Sequence, residues 1–373
     1  VLSVAPLGMA PLMIAAGILA YGAERLQGGT WPGIPGGSAA LFVAFIAWCA
    51  LSLIWDIDPG SGARKLIDIA LAAASLLVLL GLADRLSPDQ SRRLSWTLVG
   101  GILAGLLLLA VETLFDFPLY RAVMGNSAKL ADLVEVKRSA DALPLLVWPA
   151  CLALARLGLP WAGALLAALF AVACVKLTAS SATLGMALSL VVFVACFAST
   201  TLVRRMLAVL TVLTFALIIP LSIFAYDRGG TTAHWIKHSG QHRVEIWHFA
   251  AERILDRPLF GWGFNASRYV PNGDEVSHFL PPGQSLIPLH PHDAFLQVWL
   301  ELGAVGAVIA GGILLLGLRA IGQWPAAVAR FTLAGYAAGL VIAGLAFGIW
   351  QSWWMATLAF SVAAYRMIGP EHG

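Results

Sequence analysis

Charge is what this chain of 373 residues has least of: Asp, Glu, Lys and Arg together make up 12% of it. A soluble domain carries roughly a quarter charged residues, so a water-exposed globular fold is excluded and a polytopic membrane protein is implied. Hydrophobic residues reach 60%, and the mean hydropathy is +0.84. The net charge of +3 is small and scattered, which excludes nucleic acid as a partner. Cysteine is scarce too. Cys49, Cys151, Cys174 and Cys196 all fall within apolar runs, where they read as small buried hydrophobes rather than disulfides or metal ligands. No segment has the layout of a removable signal peptide. An initiator methionine is also absent, and Val1 in its place implies missing N-terminal sequence. Glycine, by contrast, is plentiful at 37 residues, which suits close helix–helix approach in lipid.

A spanning helix needs about 20 apolar residues. Candidates lie near 1–21, 38–55, 66–83, 95–115, 140–155, 158–175, 182–199, 206–224, 294–318, 326–348 and 351–367. The fold expected is therefore an all-α polytopic membrane protein of eleven spans, or twelve with one more helix ahead of Val1. Pro144 and Pro149 should kink the fifth span. The chain divides into three regions: a helical bundle over 1–224, a loop domain over 225–292 and C-terminal spans over 293–373. Linkers holding Arg85, Arg92, Arg93, Arg156, Arg204, Arg205 and Arg319 are short and basic, so the positive-inside rule puts them in the cytoplasm and the long loop outside.

That loop, Ala225 to Gln297, is the one long polar interval. It holds seven of the eight histidines: His234, His238, His242, His248, His278, His290 and His292. Histidine is the default proton-transfer group near neutral pH. Within the loop, Val244, Trp247, Ala251, Ile254 and Leu255 recur at helical spacing, predicting a helix from Ser239 to Leu255 that Pro258 stops. The glycines of Pro258-Leu-Phe-Gly-Trp-Gly263 mark a turn. Asp293 is placed to cap the next membrane helix, with His292 at its mouth. The outer segments also carry cations against the usual bias: Arg64, Lys65, Arg138 and Lys176. A phosphorylated lipid head group would give them a reason, since arginine grips phosphate bidentately and lysine as a point charge. Their plainer reading is snorkelling to membrane lipids. Trp350, Trp353 and Trp354 read as an aromatic belt rather than a sugar platform.

The series Arg243-x3-Trp247, Pro258-Leu-Phe-Gly-Trp-Gly263 and His290-x-His292-Asp293-x2-Leu296-Gln297-x3-Glu301-Leu-Gly303-x2-Gly306 resembles the O-antigen ligase and polymerase superfamily. The resemblance is detailed over roughly 240–306 and architectural elsewhere. It implies a multi-pass protein of the Gram-negative inner membrane with its active site facing the periplasm. The implied reaction is O-antigen ligation: glycan passes from undecaprenyl diphosphate to the lipid A–core oligosaccharide, by inverting transfer with His292 as general base. An O-antigen polymerase and a protein O-oligosaccharyltransferase are the alternatives inside the superfamily, and a lipid-linked oligosaccharide transporter is the rival outside it. Arg243 matches the family's loop arginine and would bind the departing diphosphate, joined by Arg138, Lys176, Lys65 or Arg64. His290, Asp293 and Gln297 would support His292. Cationic side chains would replace a divalent metal, so neither metal nor other cofactor is expected. A metal held by His290 and His292 with His278 or Asp293 is the competing reading. Two departures stand out. The family's asparagine after the histidine is Asp293 here, and its Ser-Arg at the outer end of a middle helix is replaced by Thr178-Ala-Ser-Ser181.

Overall fold

The computed structural model describes residues 6–29, 36–115, 118, 121–122, 140–177, 179–279, 285–287 and 289–369. The described chain is all-α: α1 (Met9–Leu26), α2 (Gly36–Ser52), α3 (Pro59–Ala83), α4 (Pro88–Leu114), α5 (Pro144–Arg156), α6 (Pro160–Lys176), α7 (Ser180–Asp227), α8 (His238–Asp256), α9 (Ala294–Ile321), α10 (Ala326–Leu345) and α11 (Ser352–Ile368). The 48 residues of α7 are two helices meeting at Ser199, which is extended (φ −164°, ψ 109°). With that division, each of the eleven predicted spans has its helix. Five helices (α3, α4, α7, α9 and α10) are long and apolar enough to cross a membrane. Leu103, Leu107, Val191, Val194 and Val209 are all exposed, a surface suited to lipid and not to water.

Local chemistry sets the helix starts. Proline opens α3, α4, α5 and α6, where its fixed φ is helical already and its missing N–H is not needed. The Asp58 carboxylate caps α3 by accepting from Ser61 N, and Ser87 with Gln90 forms a capping box on α4. Pro144, expected to kink the fifth span, instead begins α5, and Pro149 lies within it. Every residue from Pro144 to Leu154 is buried, so α5 is the central pillar, packed by α4, α6, α10 and α11. Within that buried stretch, Trp148 Nε1 donates to Ser189 Oγ at 2.9 Å. The four cysteines are free and buried.

The tryptophan cluster differs from expectation. Trp350, Trp353 and Trp354 are 3%, 4% and 0% exposed, so they form core rather than an interfacial belt. The start of α11 lies inside the bundle, where Phe347 meets the Trp353 ring edge-on at 4.8 Å.

Helix α8 is the loop's main element and agrees with the predicted helix to within a residue at each end. It buries Val244, Ile246, Phe249, Ala250 and Ile254 against α7 and α9. Ile246 and Ile254 are wholly buried; such a side chain contributes about 2 kcal/mol relative to exposure. This face fastens the loop to the membrane helices and so holds the 258–263 turn at the flank of α9.

Candidate active site

Helix α9 is broken. Gly303 has φ 63° and ψ −163°, a conformation nearly confined to glycine. The break strips intrahelical partners from the backbone on both sides, a serious cost in lipid. The Pro258–Gly263 turn supplies them. Trp262 N and Gly263 N donate to Leu300 O and Glu301 O at 3.0 and 2.9 Å, while Ala304 N and Val305 N donate to Pro258 O and Leu259 O at 2.9 and 3.4 Å. The turn thus pairs with residues six to eleven positions into α9, roughly 9–16 Å along its axis. A side chain on Gly261 would overlap the Glu301 main chain, and one on Gly303 would overlap Leu259 O. The two glycines face each other across one joint.

Beside the joint, the wholly buried Glu301 gathers donors. Asn265 N lies at 2.7 Å and Gln297 Nε2 at 2.9 Å, with Ser267 Oγ and Trp350 Nε1 also donating to it. All are donors, which matches the acceptor-only inventory of a carboxylate. The Gln297 side-chain oxygen accepts from Ile349 N at 2.9 Å. Together Glu301 and Gln297 tie α9 to the segment joining α10 and α11.

That segment meets the histidines. His292 is half-buried with φ 57°, a left-handed backbone that few residues other than glycine adopt. Its Nδ1 lies 3.2 Å from Ala346 O. A carbonyl only accepts, so the proton sits on Nδ1 and Nε2 is the basic nitrogen. The His292 backbone N–H donates to His290 Nδ1 at 3.2 Å, and the two rings meet edge-on at 4.4 Å. The buried Asp293 caps α9: Oδ1 accepts from Phe295 N and Leu296 N at 2.8 and 2.9 Å. Burial pushes its carboxyl up to about 7, with those two donors opposing.

Arg243 sits on the second turn of α8, four residues before Trp247, so the two share a face. Trp247 Nε1 donates to Pro291 O at 3.0 Å, which places that face beside His292. Among the described residues, no ion pair joins Arg243 to Glu245 or Glu252. Glu245 is taken by Ser277 Oγ and His278 Nδ1, and Glu252 faces His248. Burial lowers the pKa of Arg243, with the carboxylate of Asp141 opposing. Asp141 in turn accepts from Ala182 N at 3.0 Å, at the N-terminus of α7. Two further bonds converge there: Lys237 Nζ to Ser180 Oγ and Ser181 Oγ to Leu345 O, both at 3.4 Å. Four elements therefore meet around His292: the starts of α7 and α8, the end of α10 and the mouth of α9.

A protein-family profile described as O-antigen ligase matches residues 165–311, the stretch holding α7, α8, the turn, both histidines and the Gly303 break. This match supports placement of the chain in the O-antigen ligase superfamily. The chain is 26% identical over 332 residues (87% of this chain, 78% of the relative) to a Rickettsia bellii protein provisionally named a polysaccharide ligase. One of the same description from Rickettsia conorii is 26% identical over 350 residues, covering 91% of this chain and 81% of its own. A third, from Rickettsia typhi, is 30% identical over 155 residues, 40% of this chain and 38% of the relative. No solved structure matches significantly. Family and relatives together point to a ligase- or transferase-type membrane enzyme.

The cations singled out in the sequence are placed differently from one another. Lys65 Nζ bonds Ser352 Oγ at 3.1 Å and Asp68 at 3.2 Å, one residue from Gln351, which reaches His290. Lys176 is exposed at the last turn of α6, and Arg64 is exposed on α3. Arg138 lies outside the described residues, as does Thr178. The three-ligand metal reading loses its third member, because His278 sits on Glu245 and Asp293 is turned into its helix cap. Among the described residues, no three His, Cys, Asp or Glu side chains are placed to hold a metal ion. Sequence reasoning missed Lys237 and Gln351. Lys237 had a faint signal as the cation just ahead of α8, and Gln351 as the lone amide beside buried tryptophan.

Proposed function

We propose that this protein is a glycosyltransferase of the Gram-negative inner membrane. It would move O-antigen glycan from undecaprenyl diphosphate to the lipid A–core oligosaccharide at the periplasmic face. The observation carrying this reading is His292 itself: its Nδ1–H is committed to a carbonyl, its Nε2 is basic, and it stands beside the face of α8 that bears Arg243. Nε2 takes the proton of the acceptor hydroxyl as that oxygen attacks the donor's anomeric carbon. The carbon–oxygen bond to the diphosphate breaks, the leaving oxygen keeps the electron pair, and the configuration inverts. Arg243 stabilises the leaving diphosphate, helped by Lys237 and by the positive end of α7.

Complementation of a ligase-deficient Gram-negative strain supplied with cognate core and glycan tests this. Wild type is expected to restore the lipopolysaccharide ladder, with His292→Ala and Arg243→Ala expressed equally and failing. Loss of a general base typically costs about 10²- to 10⁴-fold, and loss of one charge-stabilising donor about 10²- to 10³-fold. A ladder from His292→Ala equal to wild type removes the general-base role. Well-expressed wild type that makes no ladder shifts the acceptor to a growing glycan or a protein, the other two superfamily activities.

A further inference from the structure

The hydrogen bonds around His290 cannot all stand with the nitrogen end of the Gln351 carboxamide turned toward the ring. His292 N–H is a donor, so His290 Nδ1 must carry a lone pair toward it. A neutral imidazole then bears its proton on Nε2. His290 Nε2 lies 3.0 Å from the nitrogen end of the Gln351 carboxamide, which is also a donor, while Gln351 Oε1 is buried with no hydrogen-bond partner. Nitrogen and oxygen ends of a carboxamide have the same shape, so the network assigns them. Turning the amide through 180° removes the donor–donor clash and satisfies the orphaned oxygen in one step.

From this geometry we infer that Gln351 is a positioning residue: its side-chain oxygen accepts from His290 Nε2, fixing the tautomer through which His290 holds the His292 backbone. The chain of contacts is continuous. Gln351 sets which nitrogen of His290 is protonated. His290 Nδ1 grips the His292 amide in its left-handed conformation, which is strained for a residue with a side chain and so needs holding. His292 Nδ1 then reaches Ala346 O, orienting the ring. The close seat of His290 depends on Gly348, since a Cβ there would overlap the imidazole. The link between α10 and α11 thereby aims a histidine carried on the mouth of α9.

This inference rests on the proposed general-base role for what it predicts about rate, but its structural half does not. Purified protein labelled with 15N-histidine reports tautomers directly, with His290→Asn assigning the signal. Wild type is expected to show His290 protonated on Nε2, and Gln351→Leu a mixture of tautomers. In membranes supplied with donor and acceptor, Gln351→Leu is expected to lower kcat about tenfold to a hundredfold with donor KM changed less than about twofold. Gln351→Glu keeps an acceptor and is expected to restore most of kcat. Its negative charge favours the His290 imidazolium, which cannot accept from His292 N–H, so its acid limb moves to higher pH. If Gln351→Leu fails to fold, that shift in Gln351→Glu decides alone. A wild-type tautomer signal and pH profile in these variants overturns the inference. Inactive wild type beside the expected tautomers would instead count against the proposed function and leave the Gln351 contact standing.

Discussion

Asp293 shows what one atom does at this site. The two amides it caps need an acceptor, which asparagine supplies as well as aspartate, and burial raises the carboxyl to about 7. Once protonated, a carboxyl offers one acceptor and one donor, as a carboxamide does. The departure from the family's asparagine is thus small in hydrogen-bonding terms. Because the folded pKa lies above the ordinary aspartate value of about 3.9, the folded state binds the proton more tightly than the unfolded chain. Stability from that proton is full below about 4 and lost as pH rises through about 7. Asp293→Asn should therefore match wild type in thermal midpoint near pH 4 and exceed it near pH 8, with activity retained. Melting curves of the detergent-solubilised pair across that range check it, and parallel curves at every pH would sink the account. The identity of the residue was plain in the sequence; the burial that moves its pKa was not.

At the scale of elements, the joint between the 258–263 turn and the break at Gly303 is the local feature on which the site rests. Both patterns, Pro-x2-Gly-x-Gly and Glu-x-Gly, were visible as strings of residues. That each satisfies the other's backbone was not, because the partners lie about forty positions apart and a turn motif carries no address. Gly303→Ala puts a Cβ into a glycine-only conformation and against Leu259 O. The conformational strain alone is about 1–3 kcal/mol, so a clear drop in thermal midpoint is expected beside an unaltered Gly317→Ala, where a Cβ meets nothing within 4 Å. Equal midpoints for the two variants would show that the turn does not brace the helix. Glu301 reads similarly. A carboxylate within an apolar span drew notice as motif, and its function as a hub tying the 265–267 loop and the link between α10 and α11 to its own helix emerged only from the packing.

For the whole molecule, the property to test is which way the bundle faces. Basic linkers favour the α8 side as external, and a lipid-diphosphate donor would be met there. The chain is well suited to a labelling test, because all four native cysteines are 4% exposed or less. Trp235, 86% exposed on the loop ahead of α8, and Asp89, exposed at the start of α4, lie in segments predicted to face opposite sides. A membrane-impermeant maleimide should label Trp235→Cys in intact spheroplasts and Asp89→Cys only after lysis. The opposite pattern would turn the active site toward the cytoplasm and remove the periplasmic reaction.

Composition and periodicity by themselves determined that this chain is a membrane bundle, where its helices run, and that one amphipathic helix rides on the polar loop. Those properties depend on burial and on hydrogen bonds closed within a few residues, so local spacing suffices to encode them. Tertiary structure alone decided that Trp350, Trp353 and Trp354 are core, that Lys65 is engaged by Ser352, and that Gln351 meets His290. Lys65 and Ser352 stand 287 residues apart; their meeting depends on the path of the whole chain through the bundle. A side chain's type states what it can bond, and only the fold states what is there to be bonded.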